Sequence, residues 1–329
     1  MQPTSATNLS AGAVARFARD LAGLIDVAQA RVLVAVSGGP DSLALLLLAR
    51  DVLGDRCFAA TVDHRLRSES AAEAAWVARV CAARGIEHAI LTDDLPTRVG
   101  HTANVSARAR ALRYRLLATQ AERLGGALIA TAHHADDQLE TMIMRLNRGA
   151  GVAGLTGVRA RTGAIIRPLL GWRHAELVAL VDAQGITAID DPSNVSERFD
   201  RARLRKALAD VDWLDANRIG ASARALGDAE DALSWMVHRL EAQCVRKEDD
   251  RATFTPEDFP FELRRRLVEL CVLHVDAQAE VRGPALVRTL RALEAGERSM
   301  LGDVMCDALI DSKTGPQWLF SKAPPRRSF

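Results

Sequence analysis

Four short stretches of this 329-residue chain hold side chains that could do chemistry. In Ser37-Gly38-Gly39-Pro40-Asp41-Ser42 the two glycines can take positive φ and let a ligand approach the main chain, while free amides at the start of a following helix would face an anion. Pro40 suits the first helical turn, where its missing N–H costs nothing. The Ser42 hydroxyl can donate to a phosphate oxygen, and the Asp41 carboxylate beside it implies a divalent cation, magnesium, bridging it to the phosphates. Thr131 to Gly151 carries His133, His134, Asp136, Asp137 and Glu140, with Asp136 and Glu140 sharing a face at i, i+4. The HExxH spacing is missing and the helix dipole alone favours acids at a helix start, so a metal site built from this stretch by itself is disfavoured. Arg110 and Arg113 fall on one flank of a helix whose apolar stripe reads Val105, Ala109, Leu112 and Leu116, placed to grip phosphate; Arg108 and Arg115 fall on the other and read as solvated. Asp63 and His64 follow a strand and could lie near a nucleoside.

The elements that must position these groups alternate. Val32–Val36, Cys57–Val62, Glu87–Leu91, Ala127–Ala132 and Ala164–Ile166 are expected strands. Helices are expected from Leu43, over Glu69–Arg84, from Thr102 to Leu124, over Ala135–Asn147 and over Arg173–Gln184. Such alternation predicts an α/β fold, an open parallel five-stranded sheet covered on both faces, with ligands at the carboxyl ends of its strands. SGGPDS, Asp63-His64 and His133-His134 all fall at those ends. From about Val211 the pattern turns helical, with Ala221–Arg246 and Phe261–Val275 as candidates and Val304–Ile310 with Gln317–Ser321 as a small terminal hairpin. The expected division is an N-terminal extension and helix over 1–29, an α/β domain over 30–209 that holds these groups, and a mainly helical C-terminal domain over 210–329.

Composition describes an ordinary globular chain, 48% hydrophobic with a net charge of +1. No secretory start and no apolar run near the roughly 20 residues of a bilayer span is present, which points to the cytoplasm. Five cysteines (Cys57, Cys81, Cys244, Cys271, Cys306) without a CxxC pair read as reduced thiols filling cores. The charge is unmixed locally: six arginines and no acid from Arg145 to Arg173, four arginines and no acid from His101 to Arg115, and five basic residues against Asp200 from Arg198 to Lys206. Balanced totals with one-signed segments suit a polyanion-binding face.

SGGPDS is neither a Walker cradle nor a dinucleotide fingerprint; it resembles the SGGxDS signature of the PP-loop ATP pyrophosphatases. Together with VDHRLRSESAAEA from Val62, NVSARARALRYRLL from Asn104, TAHHADDQLETMIMRLNRGAGVAGLTG from Thr131, IIRPLL from Ile165 and DDPSNVSERFDRARLR from Asp190, it makes residues 30 to 206 similar to the tRNA(Ile)-lysidine synthases. The resemblance implies that ATP adenylates C2 of cytidine 34 in a CAU anticodon of tRNA(Ile) and that free L-lysine displaces AMP, changing codon reading from AUG to AUA. By motif position, Ser37, Gly38, Gly39, Pro40, Asp41 and Ser42 would hold ATP and Mg2+, with Asp63 and His64 near the nucleoside. Asp41, Arg110, His133 and Asp137 would form the catalytic centre, and Asp137, or else Asp136, would receive the lysine amine or its proton. Arg113, Arg148, Arg167, Arg201, Arg203 and Arg205 would meet tRNA. Ala202 stands where the family pattern has asparagine, and the C-terminal part is short for the longer members, which implies one small tRNA-binding module. A homodimer is the assembly considered. The alternatives are a PP-loop tRNA thiolase, an ammonia-using synthetase and a non-catalytic tRNA-binding module; the lone cysteines, the missing glutaminase and the complete SGGPDS argue against each in turn.

Overall fold

The computed structural model of the chain describes residues 9–65, 69–93, 105–189, 200–208, 211–281, 283–311 and 315–323. Parts of three motifs, around 66–68, 101–104 and 190–199, and the expected turn at Lys313-Thr314 lie outside them. The chain divides into two compact units, Met1–Gly227 and Asp228–Phe329, and the helix α9 (below) carries it from one to the other.

In the first unit the order is α1 (Ala11–Ala22), β1 (Val32–Ala35), α2 (Pro40–Leu53), β2 (Cys57–Asp63), α3 (Ser70–Ala82), β3 (Glu87–Thr92), α4 (Val105–Arg123), β4 (Leu128–Ala130), α5 (Ala135–Asn147), α6 (Val152–Leu155), β5 (Arg161–Thr162), β6 (Ile165–Ile166), α7 (His174–Asp182), α8 (Asp200–Leu208) and the start of α9 (Ala216–Cys244). The sheet runs β3-β2-β1-β4-β6-β5. Its first five strands pair in parallel, as expected; β5 is an added, antiparallel edge made by a hairpin turning at Gly163.

The sheet's middle is apolar because β1 is buried on both faces, Val32, Leu33 and Val34 all being sealed from solvent. Helix α2 is apolar all round, and Leu43 to Ala49 are all buried. A helix of that kind must be covered on every side, and α2 packs with Phe17 and Leu21 of α1 and Leu177 and Val181 of α7 in one core. On the opposite face α4 buries Leu117 and Ala121 against Leu33, Ala60 and Ile129. The stripe of α4 is therefore shifted from expectation: Leu112, Leu117 and Ala121 are buried, and Leu116 is only partly so.

The strand order reverses direction between β1 and β4. From β1 the chain goes on to β2 on one side and from β4 to β6 on the other, and such a switch point opens a crevice at the strands' carboxyl ends.

The second unit is mainly helical, as expected, but holds more strands than one hairpin. The expected hairpin is present, with Val304 opposite Lys322 and Asp311 opposite Gly315, yet it belongs to a five-stranded antiparallel sheet, β7-β8-β11-β10-β9. The strands are β7 (Val245–Glu248), β8 (Arg251–Phe254), β9 (Ser299–Leu301), β10 (Val304–Asp311) and β11 (Gly315–Lys322). Helices α10 (Phe261–Val275) and α11 (Gly283–Glu294) cover one face, through Leu267, Cys271 and Leu290 against Phe254, Cys306 and Phe320.

Candidate active site

Three helices start at this crevice. β1 turns through Ser37 and Gly38 into α2, capped by Gly39; β4 runs through Thr131 into α5, capped by His134; the chain past β6 enters α7, capped by Arg173. Their first turns touch. Asp41 of α2 lies 2.8 Å (Oδ1) from His174 Nδ1 of α7 and 3.6 Å (Oδ2) from His134 Nε2, and the His174 amide donates to Asp136 Oδ2 of α5 at 2.7 Å. Three positive helix ends on one spot favour an anion of several charges.

The glycine turn is shaped by its neighbours. Gly38 has φ +93°, and a Cβ there would lie 2.5 Å from Ile189 Cδ1. Its carbonyl accepts from the Ile189 amide at 2.9 Å. The Ser42 hydroxyl donates to Gly39 O at 2.9 Å and accepts from the Ser37 amide at 3.1 Å, so it closes the turn on itself. Around the turn is a cleft of about 880 Å³, lined among others by Ser37, Asp41, Arg110, His133, Asp137 and Arg205, within the size range of small-molecule sites.

The acids of α5 divide the work. Asp136 is locked: Arg173 donates to its Oδ1 through Nε at 3.0 Å and Nη2 at 2.8 Å. Burial pushes this carboxyl up, but its contacts with His134, Arg173 and the His174 amide outweigh that and hold it well below the carboxylate range. Asp137 is less committed, accepting from the His134 amide at 3.2 Å and from Arg205 Nη2 at 3.4 Å. Glu140 is 4% exposed. Burial raises its pKa against the pull of Arg205, whose Nε donates to Oε1 at 2.5 Å. Its other oxygen, Oε2, accepts no hydrogen bond among the described residues although Arg201 Nε stands 3.8 Å away.

The two adjacent histidines differ. His133 Nδ1 pairs with Thr131 Oγ1 at 3.0 Å; burial drives the ring down to about 4, helped by Arg167, Arg110 and Arg201 and opposed by Asp137, so it is neutral at physiological pH. Burial also acts on His134, but Asp136, Asp137 and Asp41 surround it and raise it. His174 is raised chiefly by its bond to Asp41.

The expected site residues therefore separate. Ser37, Gly39, Pro40, Asp41, Ser42, Arg110, Arg113, His133, Asp137, Arg201 and Arg205 all line the cleft, with Gly38 inside the turn. Asp63 and His64 end β2 outside that lining; Asp63 accepts from the Arg65 amide at 2.8 Å, and both ring nitrogens of His64 are buried without a hydrogen bond. Arg148 and Arg203 are exposed away from the cleft. Arg167 is 8% exposed and donates to the Arg159 carbonyl at 2.6 Å, which ties it to the β5–β6 hairpin. Arg201 and Arg205 are bound up in the cleft wall, Arg201 donating to Thr141 Oγ1 at 2.9 Å. Arg173 and His174 join the site without having been singled out, and His134 and Glu140, named only within their stretch, join it too. Only the shared face of Asp136 and Glu140 hinted at the last.

All five cysteines are buried and none lines the cleft. Burial pushes Cys57 up to about 12 and Cys81 up to about 11, which leaves neither a reactive thiolate.

The family model of the PP-loop domain matches residues 13–211. A curated tRNA(Ile)-lysidine synthase of Novosphingobium aromaticivorans is 46% identical over 324 residues, covering 96% of each chain. One from Zymomonas mobilis is 37% identical, covering 89% of each. Among solved structures, the U34-tRNA thiolase NcsA of Methanococcus maripaludis superposes with a TM-score of 0.53 at 19% identity, over 65% of this chain and 79% of that one. That likeness shows a common fold.

Proposed function

Because the chain belongs to the tRNA(Ile)-lysidine synthase family of PP-loop ATP-using enzymes, we propose that its cleft joins free L-lysine to C2 of cytidine 34 in the CAU anticodon of tRNA(Ile). The observation that carries this reading is the meeting of the starts of α2, α5 and α7 at Asp41, His134 and His174, beside a buried carboxylate, Glu140 Oε2, with no donor.

The anion site comes first. The Ser37–Ser42 turn and the three helix ends would bind the ATP phosphates, and Arg110 and Arg113 on α4 would add charge-assisted bonds. Asp41 alone suits Mg2+ here, since that ion takes one or two protein carboxylates and fills its shell with phosphate and water oxygens. Bound there, magnesium would neutralise the departing pyrophosphate. The C2 oxygen of the cytosine attacks the α-phosphorus, pyrophosphate leaves, and the ring carbon becomes an electrophile with AMP as leaving group.

The amine comes second. A lysine ε-ammonium entering the cleft finds Glu140 Oε2 as a buried acceptor and Asp137 as the carboxylate positioned to take its proton before attack. Asp136 is unsuited to that role because Arg173 and the His174 amide occupy both its oxygens. His133, neutral, serves as a hydrogen-bonding group and not as a cation. The exposed arginines Arg148 and Arg203 are the remaining candidates for the tRNA backbone. Sulfur transfer is disfavoured by the five buried cysteines.

Incubating the protein with a CAU-anticodon tRNA(Ile) transcript, ATP, Mg2+ and labelled lysine tests the reading. Label in the tRNA, dependent on ATP, is expected; none with protein that releases pyrophosphate would refute it. No helix among the described residues is long and apolar enough to cross a membrane; a cytoplasmic site of action and a homodimer are proposed with the activity, the latter checked by light scattering.

A further inference from the structure

Asp41 is flanked by two imidazoles that phosphate binding does not call for. His174 Nδ1 lies 2.8 Å from one of its oxygens and His134 Nε2 3.6 Å from the other, and one ligating atom from each residue lies within 4.8 Å of both others. Around a tetrahedral ion with bonds of about 2.0–2.2 Å, neighbouring ligand atoms stand roughly 3.3–3.5 Å apart. The printed distances run to different oxygens of Asp41, one shorter than that value and one at its upper end, so a small rotation of the carboxylate would bring one oxygen between both rings. The site is also supported from behind. His134 is buried at the start of α5, Asp41 and His174 sit in the first turns of α2 and α7, and the His174 amide is fixed by Asp136 at 2.7 Å.

The donor types decide which ion fits. Magnesium takes oxygens in an octahedral shell, whereas two imidazole nitrogens with a carboxylate suit Zn2+ or Co2+. Charge permits a cation despite the three helix ends, because Asp41, Asp136 and Asp137 outnumber Arg173 and Arg205, which pair with the last two. We propose that Asp41, His134 and His174 form, in the nucleotide-free protein, a binding site for a borderline-soft divalent cation such as Zn2+, sharing Asp41 with the nucleotide site.

The test uses the full, untagged chain without nucleotide, titrated with Zn2+ by calorimetry and with Co2+ by visible absorption. One saturable site is expected, with the visible bands of tetrahedral cobalt and no thiolate charge-transfer band, since all five cysteines are buried elsewhere. His174 is half-exposed, so His174→Gln keeps the fold, checked by circular dichroism, and should weaken the metal about 100-fold. The absence of a saturable site, or an affinity unchanged in His174→Gln, would overturn the proposal. Because the probe is the metal alone, a failure here is distinct from a failure of lysine transfer.

Discussion

Asp41 Oδ1 and His174 Nδ1, 2.8 Å apart, join the first turn of α2 to the first residue of α7. In the empty protein this carboxylate neutralises a histidine, and in the proposed reaction it must turn to magnesium. Asp41→Asn should cut pyrophosphate release on the order of 10²–10³-fold, while tRNA affinity in a filter-binding assay is unchanged. Loss of both would recast Asp41 as a folding residue.

Gly38→Ala meets two penalties at once, a positive φ of +93° and a Cβ 2.5 Å from Ile189 Cδ1. Backbone strain alone costs about 1–3 kcal/mol. The variant should melt earlier than the parent in calorimetry and show a raised KM for ATP; an unchanged melting profile would mean that the turn has another accessible shape.

Glu140→Gln removes the charge that we assign to the lysine ammonium. A charged hydrogen bond is worth about 1.5–3 kcal/mol, so KM for lysine should rise roughly 10–100-fold by the label assay. ATP-dependent pyrophosphate release should survive, because the α-phosphate chemistry precedes the amine. Equal loss of both half-reactions would place Glu140 in the wall with Arg205 and nowhere else.

Trp213 is 78% exposed, and its neighbours Val211 and Leu214 line the cleft. An open indole beside an RNA-modifying site offers a stacking face to an unpaired base, worth about 1–3 kcal/mol. Trp213→Ala should weaken tRNA binding by that amount and leave KM for ATP alone, with Trp213→Phe retaining most of the affinity. Alanine and phenylalanine variants that bind tRNA like the parent would remove the ring from the interface.

His88 on β3 hydrogen-bonds Thr61 Oγ1 of β2 at 2.9 Å, and burial lowers its pKa from 6.5. Its folded pKa lies below the unfolded one, so its contribution to stability is whole above pH 6.5 and is lost as pH falls through the folded value. Urea midpoints taken from pH 7.5 downward should decline less steeply for His88→Gln than for the parent. Parallel declines would assign the acid sensitivity to other groups.

The parallel sheet was legible because its strands are short β-branched or alanine-rich runs between helix starts, and Ala135–Asn147 and Phe261–Val275 match their expected spans. Strands β7 and β8 were not. Val245–Glu248 is mostly exposed and charged, and in β8 only Ala252 and Phe254 alternate inward, too brief a period to see beside a long helix. In the site, the turn at 37–42 was legible because glycine, proline and an acid each have a local reason there. His134 and His133 could not be ranked, because adjacent residues at a strand end face opposite ways and only the fold shows which meets Asp41. His174 and Arg173 carry no local signal; the closing of β6 onto β4 brings them in.

The helix caps Gly39, His134 and Arg173 are far apart along the chain, yet they make one floor. During synthesis the glycine turn emerges from the ribosome long before α7 does. On the proposed reading a growing chain would carry the phosphate loop without the partners that complete it, and ATP chemistry would wait until nearly the whole first unit had been made.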